Sequence, residues 1–217
     1  MFHYSPPTEP FLDIVYEDDF ILLANKAAGL LTVPGRGEDK KDCLISRIQT
    51  IYSTALIVHR LDMQTSGLIV IALSQEIHRH LSMAFQDRKV GKRYVAWIAG
   101  HPEQNSGTVN LPLLLDWPRR PLQKIDMQMG KPSLTHYTVI KREEEKTLVS
   151  LRPETGRSHQ LRVHMKALGH PILGDALYAP LDVQAMASRL LLHSEHLEFD
   201  HPATGERFSF TLHADFN

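Results

Sequence analysis

The sequence has little of several features that define particular classes of protein. It contains one cysteine, Cys43, which excludes an internal disulfide and gives no sign of an oxidising compartment. The apolar run Leu68–Leu73 covers about a third of a membrane span. No charged and then apolar signal segment opens the chain, so we expect a cytoplasmic protein that does not enter a membrane.

An excess of one charge and a nucleotide-binding motif are also lacking. Lys and Arg total 24 against 25 Asp and Glu, so the net charge gives no global argument for a polyanionic partner, although a local basic face is compatible with it. The segment Gly35–Gly37 lacks the third glycine of a dinucleotide fingerprint, and charged residues follow it. We therefore expect no nucleotide cofactor.

Histidine is the one residue type in excess, with 13 in the chain. Convergence of several of these rings would favour a metal-dependent hydrolase, and the candidates are His159, His164, His170, His193 and His196. However, the chain has no H-E-x-x-H motif and no closely spaced pair of Cys or His ligands facing another pair. The sequence therefore favours a protein without a metal, with the hydrolase as the alternative.

What the chain does contain is enough apolar sequence for a substantial core, at 42% of 217 residues. Many strands joined by short turns, with helices interspersed, predict an α+β fold with a mixed, largely antiparallel central sheet and flanking helices. Helices are predicted to follow Asp42, Ser74 and Ser158, and the last of them to end at Gly169. Hairpins are predicted around residues 17–19, 141–146 and 201–205.

The domain organisation is predicted to be simple. Residues 1–10 hold three prolines and no apolar period, so we expect an extended arm. No linker or repeat divides the remainder, which predicts a single domain over residues 1–217. Between two predicted strands, the segment Asp116–Lys124 carries two prolines, a tryptophan and three cations, and we expect a rigid basic loop there.

A polar loop, His59–Gly67, lies between the apolar segments Leu56–Val58 and Leu68–Leu73. It brings a carboxylate (Asp62), a guanidinium (Arg60) and two hydroxyls onto one short segment between predicted strands. Aspartate, serine and glycine are also ordinary turn residues. The loop alone is therefore compatible with both a functional site and a surface turn.

The loop and several other blocks resemble one known family. The order His59-Arg60-Leu61-Asp62 with Thr65-Ser66-Gly67 is similar to the catalytic motif of the RluA-type pseudouridine synthases. The other matching blocks occur in the order Asn25-Lys26, Gly29-Leu30, Lys92-Arg93-Tyr94, Gly130-Lys131-Pro132, Thr155–His164 and His170–Asp175 with Tyr178. The resemblance spans about residues 11 to 212.

The resemblance implies roles for particular residues of these blocks. Asp62 would be the essential carboxylate while uracil is detached from ribose, rotated and rejoined through carbon, by attack on the sugar, attack on the base or removal of a sugar proton. Arg162 would be its cationic partner, Tyr94 would stack on the extruded base, and Arg60 would enter the space left by the flipped nucleotide. RNA contacts are expected at His59, Arg60, Lys92, Arg93, Arg119, Arg120, Lys124 and Arg157.

The resemblance also implies a substrate, namely a stem-loop of large-subunit ribosomal RNA, transfer RNA or both, since the Asp116–Lys124 segment resembles the branch that acts on both. We expect no cofactor, no metal and no obligatory protein partner, and therefore a monomer. The chain has no room for the N-terminal RNA-binding module of many relatives, so the catalytic domain would capture the substrate itself. A noncatalytic RNA-binding or ribosome-assembly protein on the same scaffold is the second hypothesis.

Overall fold

A computed structural model describes residues 4–216. Among these residues, no helix is both long enough and apolar enough to cross a membrane. The chain divides into two compact units: the first comprises the residues up to Lys92 together with His193–Ala214, and the second comprises Arg93–Leu192 and the residues from Asp215. The single domain over residues 1–217 therefore stays a prediction, and each unit is described by itself.

The regular elements are as follows. The helices are α1 (Leu44–Ile48), α2 (Gln75–Gln86), α3 (Gln160–Ala167) and α4 (Leu181–Ala185). The strands are β1 (Ile14–Glu17), β2 (Ile21–Lys26), β3 (Leu56–Ile57), β4 (Ser66–Ala72), β5 (Gly91–Ala99), β6 (Ser106–Asn110), β7 (Leu113–Leu115), β8 (Gln123–Ile125), β9 (Leu134–Glu143), β10 (Lys146–Pro153), β11 (Leu192–Asp200) and β12 (Arg207–Thr211).

In the first unit the strands are ordered β1-β2-β4-β11, with β12 paired to β11 and β3 paired to β4. Every residue of β4 is buried, which is why this strand reads as a continuous apolar run. Helix α2 begins at the predicted cap, where the Ser74 hydroxyl accepts a hydrogen bond from the Ile77 amide at 3.3 Å. Its residues Ile77 and Leu81 pack into a core with Leu68 and Val70 of β4.

In the second unit the strands β5-β10-β9-β6 are antiparallel neighbours, and β7 and β8 form a separate two-stranded sheet. Helix α3 covers the core of this unit with Leu161 and Met165. A smaller cluster joins Leu113 of β7 to Val163 of α3 and to Tyr178. The predicted α+β class, with largely antiparallel strands and flanking helices, is confirmed.

Two predicted helix starts are wrong. The helix expected to follow Asp42 begins at Leu44 with Cys43 at the N-cap, because the Asp42 carboxylate instead accepts hydrogen bonds from Arg47 at 2.7 and 2.8 Å. Ser158 does not cap α3, whose N-cap is His159 in the left-handed region with φ 55°. Gly169 follows this helix with φ 91°, as the sequence predicts.

The sequence predicts two segments without regular secondary structure, residues 1–10 and Asp116–Lys124. Of the predicted arm, residues 1–3 lie outside the described residues, and Tyr4–Asp13 form no helix or strand. Tyr4 is nevertheless buried, and its hydroxyl donates to the Asp42 carbonyl at 2.9 Å. The segment Asp116–Lys124 is a single short 3₁₀ turn, Trp117–Arg119, leading into β8, whose pairing with β7 the sequence did not predict.

Candidate active site

The backbone on both sides of Asp62 is fixed by hydrogen bonds within the first unit. The Leu61 carbonyl accepts from the Thr32 hydroxyl at 2.8 Å, and the Met63 carbonyl accepts from the Gly29 amide at 2.9 Å. The Asp62 carbonyl in turn accepts from the Thr65 amide at 3.1 Å. The half-buried Asp62 side chain therefore projects from a loop of defined shape, which is what a reacting carboxylate requires.

Lys26 lies at the centre of this arrangement, although the sequence assigned it no role. Its side chain is fully buried, and its ammonium donates to the carbonyls of Ala27 at 2.9 Å, Leu30 at 2.7 Å and Met63 at 3.0 Å. Burial lowers the pKa of Lys26 to about 7, while the Asp62 carboxylate acts to raise it. A lysine ending a strand that begins with four apolar residues, Ile21–Ala24, is a signal that could have identified it.

The His59 side chain is held by contacts with other residues of the first unit. Its ring stacks on Phe85 with 4.4 Å between centroids, and its Nε2 accepts from the Val70 amide at 3.2 Å. Burial, with a smaller effect from Lys92, lowers the pKa of His59 to about 3. The imidazole is therefore neutral at physiological pH, so any contact with RNA would not come from a positive charge.

Two further cations of the first unit that are predicted to contact RNA differ in exposure. Arg60 is exposed, as a residue that enters a nucleic acid must be. Lys92 is half-buried, and burial together with the nearby Arg88 lowers its pKa. Arg60 therefore presents a full charge on the surface, whereas Lys92 holds its proton less strongly than an ordinary lysine.

Arg162 is one half of a buried ion pair in the second unit. Only 4% of its side chain is exposed, and its Nε and one terminal nitrogen donate to Asp175 at 2.9 and 2.6 Å. The guanidinium carbon also lies 5.1 Å from the centroid of the Tyr178 ring. Two parallel hydrogen bonds to one carboxylate fix both the position and the charge of Arg162.

Tyr178 connects this pair to the start of α3 and to β8. Its hydroxyl shares a hydrogen bond with His159 Nδ1 at 2.6 Å and accepts one from the Gln123 amide at 2.8 Å. This contact explains why His159, and not Ser158, occupies the N-cap position. The block around Tyr178 therefore anchors the helix that carries Arg162.

The other predicted residues of the second unit lie at its surface or partly in its core. Tyr94 on β5 is half-buried and packs against the main core cluster, an environment that suits a sheet residue and leaves part of the ring exposed. Arg93, its neighbour, is half-buried too. The predicted RNA-contacting residues Arg119, Arg120, Lys124 and Arg157 are all exposed.

The predicted residues are thus divided between the two units. Asp62 lies with His59, Arg60 and Lys92 in the first unit. The second unit contains Tyr94, Arg93, Arg119, Arg120, Lys124, Arg157 and Arg162. Each unit also holds one buried residue whose role the sequence did not reveal, Lys26 in the first and Asp175 in the second.

The histidines that could have converged on a metal have protein partners. His164 Nε2 donates to the Leu111 carbonyl at 3.0 Å, and His193 Nε2 donates to the Leu212 carbonyl at 3.0 Å. His170 Nδ1 donates to the Ala99 carbonyl at 2.8 Å. Within residues 4–216, no three His, Cys, Asp or Glu side chains are grouped to hold a metal ion, so the structure gives the hydrolase alternative no support.

Comparison with known proteins identifies the family. The family model described as RNA pseudouridylate synthase matches residues 20–167. The chain is 53% identical over 217 residues to the dual-specificity RNA pseudouridine synthase RluA of Escherichia coli K12, covering 100% of this chain and 99% of that protein. It is 51% identical over 209 residues to the protein of the same name from Pasteurella multocida, covering 96% and 95%.

A solved structure agrees with these matches. Human RNA pseudouridylate synthase domain containing 1 superimposes with a TM-score of 0.81 at 28% identity, over 98% of this chain and 87% of the human chain. The predicted relationship is confirmed by sequence and by fold. The chain therefore belongs to the RNA pseudouridylate synthase family, whose members are isomerases that convert uridine in RNA to pseudouridine.

Proposed function

We propose that this protein forms pseudouridine at specific uridines in both large-subunit ribosomal RNA and transfer RNA, with Asp62 as the reacting carboxylate. Two findings support the proposal. The relatives that match along their whole length are dual-specificity enzymes. The observation that carries the assignment of Asp62 is the rigidity of its loop, which hydrogen bonds hold at Leu61, Asp62 and Met63.

The chemistry is an isomerisation, so no atom or electron is gained overall. The bond between uracil N1 and ribose C1′ breaks, the base turns, and a bond forms between C5 and C1′ while the proton of C5 is lost and N1 gains one. Asp62 assists these steps as nucleophile or base. No oxidant, reductant or metal is needed for this balance.

The other residues serve the same nucleotide in this proposal. Arg162, held in place by Asp175, is the cationic residue of the proposed site. Tyr94 stacks on the extruded uracil, and Arg60 fills the space that the base leaves in the stack. His59 contributes to the shape of the loop.

Substrate capture rests on cations that contact RNA phosphates. Phosphate contacts dominate RNA affinity even in a protein of near-zero net charge. The proposed contacts are Arg60, Lys92, Arg93, Arg119, Arg120, Lys124 and Arg157. We further propose that the protein acts in the cytoplasm as a monomer, without an obligatory protein partner.

The test is the Asp62→Asn variant, compared with the exposed Asp182→Asn as a matched control. Unmodified ribosomal and transfer RNA transcripts are incubated with each protein, and pseudouridine is mapped by chemical labelling and reverse transcription. We expect Asp62→Asn to lose conversion while still binding RNA, and Asp182→Asn to resemble the wild type. Full activity of Asp62→Asn would remove Asp62 from the mechanism. Wild-type binding without conversion would indicate the noncatalytic RNA-binding protein.

A further inference from the structure

The connection between β7 and β8 has a fixed shape and an exposed aromatic tip. Its ends are joined by a hydrogen bond from the Asp116 amide to the Leu122 carbonyl at 2.8 Å, and the Leu122 amide donates to the Arg119 carbonyl at 3.0 Å. Leu122 also packs against the cluster around Tyr178. The tip is therefore supported by the core of the second unit.

Trp117 lies on this tip and is 65% exposed, whereas Trp97, the other tryptophan, is 4% exposed and packs in the core. The guanidinium carbon of Arg120 lies 4.1 Å from the centroid of the Trp117 ring. A guanidinium can cover only one face of an indole, so the exposure of Trp117 comes from the rest of the ring. A large aromatic held in water by a rigid loop indicates a contact surface.

Charge distinguishes what this surface can contact. Arg119 is paired with Asp116 at 2.5 Å, and Lys124 is paired with Asp126 at 3.1 Å. The guanidinium of Arg120 is instead stacked on Trp117 and exposed. The tip therefore presents an aromatic face beside a positive charge, the combination that proteins use to stack unpaired bases and contact the adjoining phosphate.

We propose that Trp117 and Arg120 form a stacking platform for an unpaired base of the substrate RNA, distinct from the uridine that reacts. This inference rests on the proposed function, since it takes RNA as the partner. Stacking uses the face of the base and not its hydrogen-bonding edge, so the platform accepts any unpaired base and positions the RNA loop without reading its sequence.

The two tryptophans allow a direct optical test. Iodide should quench the fluorescence of the exposed Trp117 and leave the fluorescence of the buried Trp97 largely unchanged. The experiment uses the Asp62→Asn variant, which we expect to prevent turnover. Binding of an unmodified transfer RNA transcript should quench the fluorescence of Trp117 and protect the ring from quenching by iodide. The same transcript annealed to its full complement should protect it much less. Equal protection by the duplex would overturn the platform, because paired bases offer no free face.

Affinity measurements distinguish the loss of a stacking ring from the loss of any exposed apolar side chain. Trp117→Ala should weaken binding of the transcript by roughly 5- to 150-fold. Trp117→Phe keeps a stacking ring and should restore most of that affinity. The control is Leu181→Ala, which removes an even more exposed apolar side chain, at 82%, next to the acidic Asp182. A Trp117→Ala variant that binds like Leu181→Ala would contradict the proposal.

Salt dependence distinguishes the two members of the platform. Arg120→Gln should reduce the slope of log affinity against log salt concentration by about 1, the value expected for the loss of one phosphate contact. Trp117→Ala should lower affinity at every salt concentration without changing that slope. Failure of the platform is distinguishable from failure of the proposed function, because pseudouridine formation by the wild type is measured separately and does not depend on where the RNA stacks.

Discussion

The first compact unit buries Lys26 near Asp62, and the second buries Arg162, which we expect to take part in the reaction, but the two cations are held differently. Lys26 donates to three neutral backbone carbonyls. Arg162 donates twice to one carboxylate, Asp175. Carbonyl dipoles satisfy the hydrogen bonds of an ammonium without cancelling its charge, whereas a carboxylate does both. The charge of Lys26 is therefore adjustable, and that of Arg162 is permanent.

The largest expected effect comes from removing the carboxylate that holds Arg162. Asp175→Asn leaves the guanidinium buried without a compensating charge, which should lower the free energy of unfolding by about 3–5 kcal/mol. The asparagine oxygen can still accept from the Leu177 and Tyr178 amides, as Oδ1 does at 3.0 and 3.2 Å. Urea denaturation measures the loss.

The exposed Asp182→Asn is the control, with an expected change of less than about 0.5 kcal/mol. If Asp175→Asn unfolds at the same urea concentration as Asp182→Asn, the pair contributes nothing to stability. Arg162 would then resemble Lys26 in needing no counter-charge.

A second contrast concerns the backbone that supports each cation. Gly67 pairs with Lys26 across β2 and β4, has φ 108°, and would place an added Cβ 2.7 Å from the Ser194 amide nitrogen. Gly67→Ala therefore combines backbone strain with overpacking, at a cost of about 2–4 kcal/mol in the free energy of unfolding. Because backbone carbonyls hold Lys26, we also expect lower activity.

The matched variant is Gly169→Ala, after the helix that carries Arg162. Gly169 has φ 91°, but an added Cβ would meet nothing within 4 Å. Strain alone should cost about 1–2 kcal/mol, and the Asp175 carboxylate should keep Arg162 in place. Thermal unfolding and single-turnover assays of both variants measure the difference. Equal losses would show that close packing at Gly67 is unimportant.

Local patterns in the sequence predicted much of the fold. The Ser74 cap, the buried run of β4 and the left-handed Gly169 depend on residues within one turn or strand, and all are confirmed. The predicted start of α3 is wrong because the residue that holds His159 in place is Tyr178, 19 positions along the chain, through its hydroxyl. Propensity rules contain no information on such contacts.

The candidate site shows the same limit. Its reactive residues, Asp62, Tyr94 and Arg162, could be named because their sequence blocks resemble a family. Lys26 and Asp175 also lie in blocks that resemble the family, but their supporting roles could not be assigned, since both act through burial and hydrogen bonds that only the folded chain displays. A charged residue that ends a strand beginning with four apolar residues, as Lys26 does, is a sequence pattern that could have suggested a support.

The last prediction tests whether the charge of Lys26 is adjustable, through the small change in the free energy of unfolding for each pH unit. Its pKa is about 7 in the folded protein, against about 10.4 in an unfolded chain. Between these values the unfolded chain binds more protons, so the free energy of unfolding should rise with pH, by at most about 1.4 kcal/mol per pH unit. Below about pH 7 both states hold the proton, and the slope disappears.

Lys26→Met should abolish this contribution, whereas the control Lys89→Met, at an exposed side chain paired with Asp87, should retain it. Lys92 also has a lowered pKa, but it is present in all three proteins and cancels in the difference. The measurement is urea denaturation of each protein from pH 7 to pH 9.5. A flat difference between wild type and Lys26→Met would mean that three carbonyls keep the ammonium charged throughout. Lys26 would then be as permanent a cation as Arg162, and the contrast between the units would lie only in which groups hold the charge.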